Sequence, residues 1–297
     1  MRGARTQGLC GSFFLRTALL CGAFMVQCYG MKTTGENSFV FITGACGGLG
    51  RAFAFACAER GNLFLTARSA GRLAALKEEI AQKFPHIRIE TFPCDMTSAD
   101  SREALFRYAE EQGFTFAGLC NVAGVDTQKA FEKYTQEKIA FQCRVNLEGT
   151  LSVTRFALSR REAAFEIVTI SSLSGVYPMP YFAIYSATKA ALTSFFSSLR
   201  LELKKEGVKV TSVLPGGIPT RPDIIEDIKG QGLWGKLSAK SPQYVAEKSL
   251  KAVAKNKRVC IPGFWNKVIA RVPKIVPLSL RMRFIAHRWS KLEKDAF

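Results

Sequence analysis

From Ser38 to Gly263 the chain alternates short β-rich apolar runs with segments of helical period, and no other feature restricts its fold as strongly. SFVFITGA (38–45) is a nearly continuous apolar run of strand length, the kind buried on both faces of a parallel sheet. An amphipathic stretch from Leu49 to Arg60 follows, Gly61 stands at the usual helix-ending position, and NLFLTA (62–67) reads as a second strand. The same reading predicts helices at 70–83, 99–112, 128–142, 146–161, 182–206 and 242–256, with strands at 87–93, 116–120, 166–170, 208–214 and 258–263. Strands separated by helices pair in parallel through right-handed crossovers. The expectation is an α/β domain over residues 31–263: a single doubly wound parallel sheet with helices on both faces. Pro215 to Gly235, rich in proline and glycine, reads as a long mobile loop with one short helix.

Charge is distributed unevenly along this frame. The net charge is +18, and residues 251–297 carry twelve Lys/Arg against two acids, whereas residues 31–250 are nearly balanced. A basic balance admits nucleic acid, an anionic membrane or an acidic ligand. No helix-turn-helix, zinc-finger or aromatic RNA-binding signature accompanies it, so nucleic acid is not the expected partner. The nine cysteines form no C-x-x-C pair and the only histidines are His86 and His287, a set that supports neither a disulfide framework nor a metal site. A reduced, cytoplasmic protein is expected. Residues 1–30 join a basic start to the apolar run TALLCGAFMV (17–26), which three readings fit: a signal-like segment, an interfacial anchor, or sequence upstream of a true start at Met31.

Ligands of such a sheet bind at the carboxyl ends of the strands, and those ends hold the informative residues. The first strand runs into TGACGGLG, with Thr43, Gly44, Gly48, Leu49 and Gly50. Glycines between a strand and a helix let the backbone approach a pyrophosphate, beside the free N–H groups of the helix start. The second strand ends at Arg68, where an acidic residue would bind adenosine ribose hydroxyls and a guanidinium suits a 2′-phosphate; NADP(H) is therefore favoured over NAD(H). Asp95, in Cys94-Asp95-Met96 after the third strand, could bond an adenine amino group or close a turn. Asn121-Val122-Ala123-Gly124 ends the fourth with small residues that admit a cofactor, or with a polar turn. Within YSATK (185–189), Tyr185 and Lys189 share one helix face.

The glycine cluster, NVAG, Asn146 in VNLEGT, Ser172 in TISSLSG, YSATK and the Pro215-Gly216 of VLPGGIPT resemble, in order and spacing, the short-chain dehydrogenase/reductase family. The resemblance covers roughly 38–263 and implies a Rossmann-type fold and hydride exchange between a nicotinamide cofactor and a carbonyl or alcohol. It implies Tyr185 as general acid or base, Ser172 as hydrogen-bond partner of the substrate oxygen, Asn146 as holder of a relay water, Lys189 on the nicotinamide ribose, and Thr220 near the carboxamide. A lysine about 4 Å from a phenol at an effective dielectric near 20 favours phenolate by about 4 kcal/mol, which predicts a lowered Tyr185 pKa. Ser171 is the weaker choice for the serine, since its spacing to Tyr185 is one residue longer. The sequence departs from the family at Val122, where a second asparagine is common, and at Glu166, where a glycine is common.

Candidate pocket walls, Val125, Val176 to Phe182 and Ile224 to Trp234, are mostly apolar and favour a hydrophobic carbonyl or alcohol substrate. Residues 264–297 form a basic amphipathic helical appendage, either packed on the domain or lying on an anionic membrane surface. Its basic, proline-broken character resembles that of DltE-type dehydrogenases and of ketoacyl and steroid reductases. Family members pair through the Tyr-x-x-x-Lys helix, and Phe195, Phe196 and Leu199 would serve a homodimer or the core.

Overall fold

A computed structural model describes residues 30–230, 232–271 and 276–289. Its strands are β1 (Ser38–Thr43), β2 (Leu63–Ala67), β3 (Ile89–Pro93), β4 (Thr115–Asn121), β5 (Arg161–Ile170), β6 (Lys209–Val213) and β7 (Val259–Cys260). All pair in parallel, in the order β3-β2-β1-β4-β5-β6-β7. The chain direction across the sheet reverses between β1 and β4, which opens the crevice where such sheets bind ligands.

The helices are α1 (Gly48–Ala58), α2 (Ala70–Lys83), α3 (Ala99–Glu111), α4 (Gln136–Cys143), α5 (Gly149–Ser159), α6 (Ala183–Glu202), α7 (Pro222–Gly230), α8 (Gly232–Ser238), α9 (Pro242–Ala254), α10 (Phe264–Arg271) and α11 (Leu278–Trp289). Period-two alternation in β1 divides them into two layers. Phe39 and Phe41 pack with residues of α3, α5 and α6, among them Leu105, Phe156 and Phe196. Val40 and Ile42 face the other way, toward Phe53 of α1, Leu76 of α2 and Leu250 of α9. A strand buried on both sides needs an apolar residue at every position, which explains why SFVFIT carries no alternation of polarity. Each fully buried phenylalanine contributes about 1.5–3 kcal/mol of apolar burial. Serines start the helices: Ser69, Ser98 and Ser241 accept backbone N–H groups of α2, α3 and α9.

Four details differ from the sequence-based expectation. β5 begins at Arg161 and not at 166, so Glu166 lies in the middle of the strand and not at its start. Its buried carboxylate accepts from Lys209 Nζ at 2.8 Å and from the backbone N–H of Met31 at 3.0 Å, and these partners make burial tolerable. The helix expected at 128–142 is a 3₁₀ turn at 131–133 followed by α4, which passes through a π-helical turn (144–148) into α5. Pro215 to Gly235 holds two helices, α7 and most of α8, where one was expected. On α6, Phe196 and Leu199 belong to the core and only Phe195 is exposed, which removes two of the three residues offered for a homodimer. The signal-like or anchor segment at 1–29 and the end of the tail lie outside the described residues.

Candidate active site

The turn between β1 and α1 is built from close backbone approaches. Gly44 adopts φ +67°, a left-handed conformation that side chains disfavour, and any Cβ there would meet the backbone of Ala123 at 2.8 Å. At Gly48 a Cβ would lie 2.9 Å from Thr220, so the segment after β6 closes directly over the first turn of α1. Leu49 turns into the core and Gly50 sits beneath the Gly44 carbonyl. Thr43 braces the neighbouring strand end: its hydroxyl accepts the N–H groups of Val122 at 3.1 Å and Ala123 at 3.2 Å. The first turn of α1 carries no acidic residue, which leaves the positive end of its dipole uncompensated.

Around this turn the residues named from sequence divide into groups that face the crevice and groups that brace it. Arg68 is exposed at the end of β2. Arg72, which the sequence reading missed, donates to the Cys46 carbonyl at 2.7 Å and sets a second guanidinium at the glycine turn. Its signal was its place at the third position of the helix after Arg68. Asp95 is exposed and accepts from both the N–H and the hydroxyl of Thr97, closing a turn, while Ser98 caps α3. Met96 is buried and its carbonyl accepts from Arg102. The Asn121 side chain is turned into the sheet, donating to Thr154 at 2.9 Å and Thr169 at 3.3 Å. Gly216 packs under Asn266 of α10, and the Pro215 carbonyl accepts the N–H of Leu173.

At the ends of β4 and β5 the titratable groups converge. Asn146 is fully buried in the π-helical turn; its amide exchanges two 2.8 Å bonds with the backbone of Val125 and donates to Thr188 at 3.2 Å. A Cβ on Gly124 would stand 3.1 Å from Lys189 Nζ and 3.4 Å from Asn146 Oδ1, so the bare glycine separates the two. The π turn widens the helix where Asn146 must reach inward, a use such turns often have at functional sites. Ser172 shares its hydroxyl with Ser174 at 2.6 Å and stands close enough to the Tyr185 phenol to lower its pKa. Ser171 instead bonds the Lys189 carbonyl and Thr193 inside the fold, which separates the two serines as their spacing suggested.

Lys189 and Tyr185 meet as one helix turn dictates, but their electrostatics differ from the expectation. The ammonium lies 5.6 Å from the centre of the tyrosine ring and donates to the Ile170 carbonyl at 2.9 Å. Tyr185 is half-buried, and burial is the main influence on its phenol. Burial, and then the carboxylate of Asp126, push the Tyr185 pKa well above its ordinary value, against the pull of Ser172. Burial likewise pushes Lys189 down to about 8, with Asp126 opposing. The predicted lowering of the phenol is therefore corrected: desolvation, joined by the nearby Asp126 carboxylate, outweighs what lowers it. Asp126 is the second residue missed from sequence. It pairs at 3.4 Å with Arg221, bridging the loop after β4 and the start of α7.

The α1 turn, with Arg72 against it, and Gly124, with Lys189 beside it, thus lie at the carboxyl ends of neighbouring strands. Comparisons with known proteins agree with this geometry. The family described as short chain dehydrogenase matches residues 38–225. A very-long-chain 3-oxoacyl-CoA reductase-like protein of Arabidopsis thaliana is 36% identical over 196 residues, 62% of this chain and 61% of that protein. An 11-beta-hydroxysteroid dehydrogenase-like protein of the same plant is 30% identical over 263 residues, 86% of this chain and 84% of its own length. The fold is also that of L-sorbose reductase from Gluconobacter frateurii, solved with NADPH and L-sorbose, at a TM-score of 0.68 and 24% identity over 79% of this chain and 98% of the other.

Proposed function

Because the chain belongs to the short-chain dehydrogenase family, we propose that it is an NADP(H)-dependent oxidoreductase acting on a hydrophobic ketone or acyl carbonyl, or on the matching alcohol. The observation that carries this reading is the convergence of Ser172, Tyr185, Lys189 and Asn146 at the strand ends beside a glycine turn with no room for a side chain. A bound nicotinamide cofactor supplies or accepts the hydride.

The protein's own groups handle the proton and the charge. With its pKa raised, the Tyr185 phenol stays protonated at neutral pH, the form required of a general acid toward a carbonyl oxygen. The Ser172 hydroxyl, near enough to that phenol to lower its pKa, would bond the same oxygen and stabilise the charge that develops on it. Lys189 is protonated below about pH 8, and its ammonium favours the phenolate left once the proton has gone. Asn146 holds the Val125 backbone beside the pair, and a water on the remaining lone pair of its Oδ1 would connect Lys189 to solvent. Arg68 and Arg72 favour the 2′-phosphate of NADP(H) through charge-assisted hydrogen bonds. Tyr177, Met179 and Phe182 of the loop after β5, and Ile225 of α7, would give the substrate an apolar wall.

Cofactor consumption by purified protein, followed with NADPH and NADH side by side over carbonyls of graded chain length, tests the proposal. Turnover that rises with chain length and is faster with NADPH supports it. NADPH binding without turnover of any carbonyl would favour the second reading, a nucleotide-binding regulator that keeps the fold.

A further inference from the structure

Of the twelve large hydrophobic side chains that stand exposed among the described residues, six lie on α10 and α11: Phe264, Trp265, Val268, Leu278, Leu280 and Phe284. They are not a fringe of partial exposure, since Phe264 is 71% and Phe284 62% accessible. On α10 the three fall at positions i, i+1 and i+4 and share one face. The opposite side of that helix is fixed to the domain by buried Asn266, which donates to the Ser238 carbonyl at 2.9 Å and to Pro262 at 2.7 Å. The apolar face is therefore held outward by the fold. Lys267 and Arg271, four apart, flank it, and Arg283 is exposed beside Phe284 on α11.

We propose that this face of α10, joined by the exposed apolar side chains of α11, docks on an anionic lipid membrane, with aromatic side chains among the acyl chains and basic ones at the headgroups. Charge selects the occupant. The last 47 residues carry twelve basic groups against two acids, which repels a second copy of the same surface and attracts anionic headgroups. Exposed phenylalanine and tryptophan on the same face call for an apolar medium beneath the charges, which lipid provides. Among the described residues no helix is long and apolar enough to cross a membrane, so the contact is one that lies on the surface.

The placement of the helices deepens the proposed function, and this part of the inference rests on that reading. Asn266 packs against Gly216 in the segment that closes over the glycine turn. The guanidinium of Arg281, on α11, lies near enough to Tyr177 of the β5–α6 loop for the two to interact electrostatically. The outward face thus adjoins the rim of the substrate crevice, where Val176 and Ile225 are also exposed, and docking would set that mouth against the source of a lipophilic substrate.

Flotation of the full chain with phosphatidylcholine vesicles, with and without about 30% phosphatidylserine, tests the proposal independently of catalysis. Binding is expected only with the anionic vesicles and should weaken as salt rises. The triple variant Phe264→Ser, Trp265→Ser, Phe284→Ser should lose at least about tenfold in partitioning. So should Lys267→Gln, Arg271→Gln, Arg283→Gln, by loss of headgroup attraction. Thermal unfolding midpoints within a few degrees of wild type would show that both variants fold. Failure to float, or flotation that survives both triple variants, would overturn the inference. So would sedimentation showing that the face joins two copies, or binding to duplex DNA in preference to vesicles. Since flotation requires no turnover, an absent carbonyl reductase activity would leave its outcome legible.

Discussion

Two places along the carboxyl edge of the sheet are built in opposite ways. The turn between β1 and α1 takes its shape from close packing, with Gly44 against the backbone of Ala123 and Gly48 against the Thr220 side chain, and its one ionisable side chain, the Cys46 thiol, has its pKa raised by burial. The β5–α6 corner is made of buried titratable groups, with Tyr185 and Lys189 both shifted by desolvation. The first place should be sensitive to volume and indifferent to pH, and the second should be the reverse. That difference separates a site that holds a ligand from one that moves a proton.

The largest effect expected is at the second place. Tyr185→Phe removes one oxygen and little volume, and should lower kcat by about 10²–10⁴ as the general acid is lost. Cofactor affinity, measured by quenching of protein fluorescence, should stay within about twofold, because the glycine turn is untouched. Loss of affinity in proportion to turnover would merge the two places and break the comparison.

At the glycine turn the matching change is Gly48→Ala. One added Cβ, 2.9 Å from Thr220, should cost about 1–3 kcal/mol of overpacking. If the closing segment is displaced, cofactor Kd should rise by about five- to a hundredfold with no change in the pH profile. Thr220→Gly in the same chain removes the clash and should restore part of the loss, whereas a helix-propensity effect would not respond to it.

A middle-sized effect belongs to the cofactor's far end. Replacing Arg68 with Gln removes one charged partner of a 2′-phosphate, worth about 1.5–3 kcal/mol. NADPH affinity should fall about ten- to a hundredfold while NADH is affected little. Arg72→Gln should act in the same direction but less, because its guanidinium is already engaged by the Cys46 carbonyl. Equal losses for both cofactors would remove the 2′-phosphate from the proposal.

What could be read from sequence follows how local each signal is. Gly44, Ser172, Tyr185 and Lys189 lie in short motifs whose geometry is set within one turn or strand end, so their convergence was legible. The seven-strand parallel sheet was legible for the same reason, through strand-length runs such as SFVFIT. Asp126 and Arg221 are 95 residues apart, and nothing in either neighbourhood announces their pairing. Phe195 and Phe196 are adjacent and alike, yet one is exposed and the other core, a distinction made only by the face that β5 and β6 offer to α6. The sign of the Tyr185 shift was misread because the attraction of two side chains can be estimated from their spacing, whereas their desolvation depends on everything packed around them.

Asp126 offers the smallest and most discriminating test. Its carboxylate raises the pKa of Tyr185 and also that of Lys189, so Asp126→Asn should lower both. For carbonyl reduction the active form has phenol and ammonium protonated, and Lys189 is the first to lose its proton, near pH 8. The alkaline limb of the reduction profile should therefore start near pH 8 in the wild type and move to lower pH in the variant, while the plateau below it is retained. In the oxidation direction, where phenolate is the base, the same substitution should move the rising limb to lower pH and raise the rate just below it. Arg221→Gln frees Asp126 of its partner at 3.4 Å and should move both limbs the other way. If the two variants shift the limbs in one direction, or change only the plateau, the pair serves to hold two loops together and its charge does not reach the proton-transfer groups.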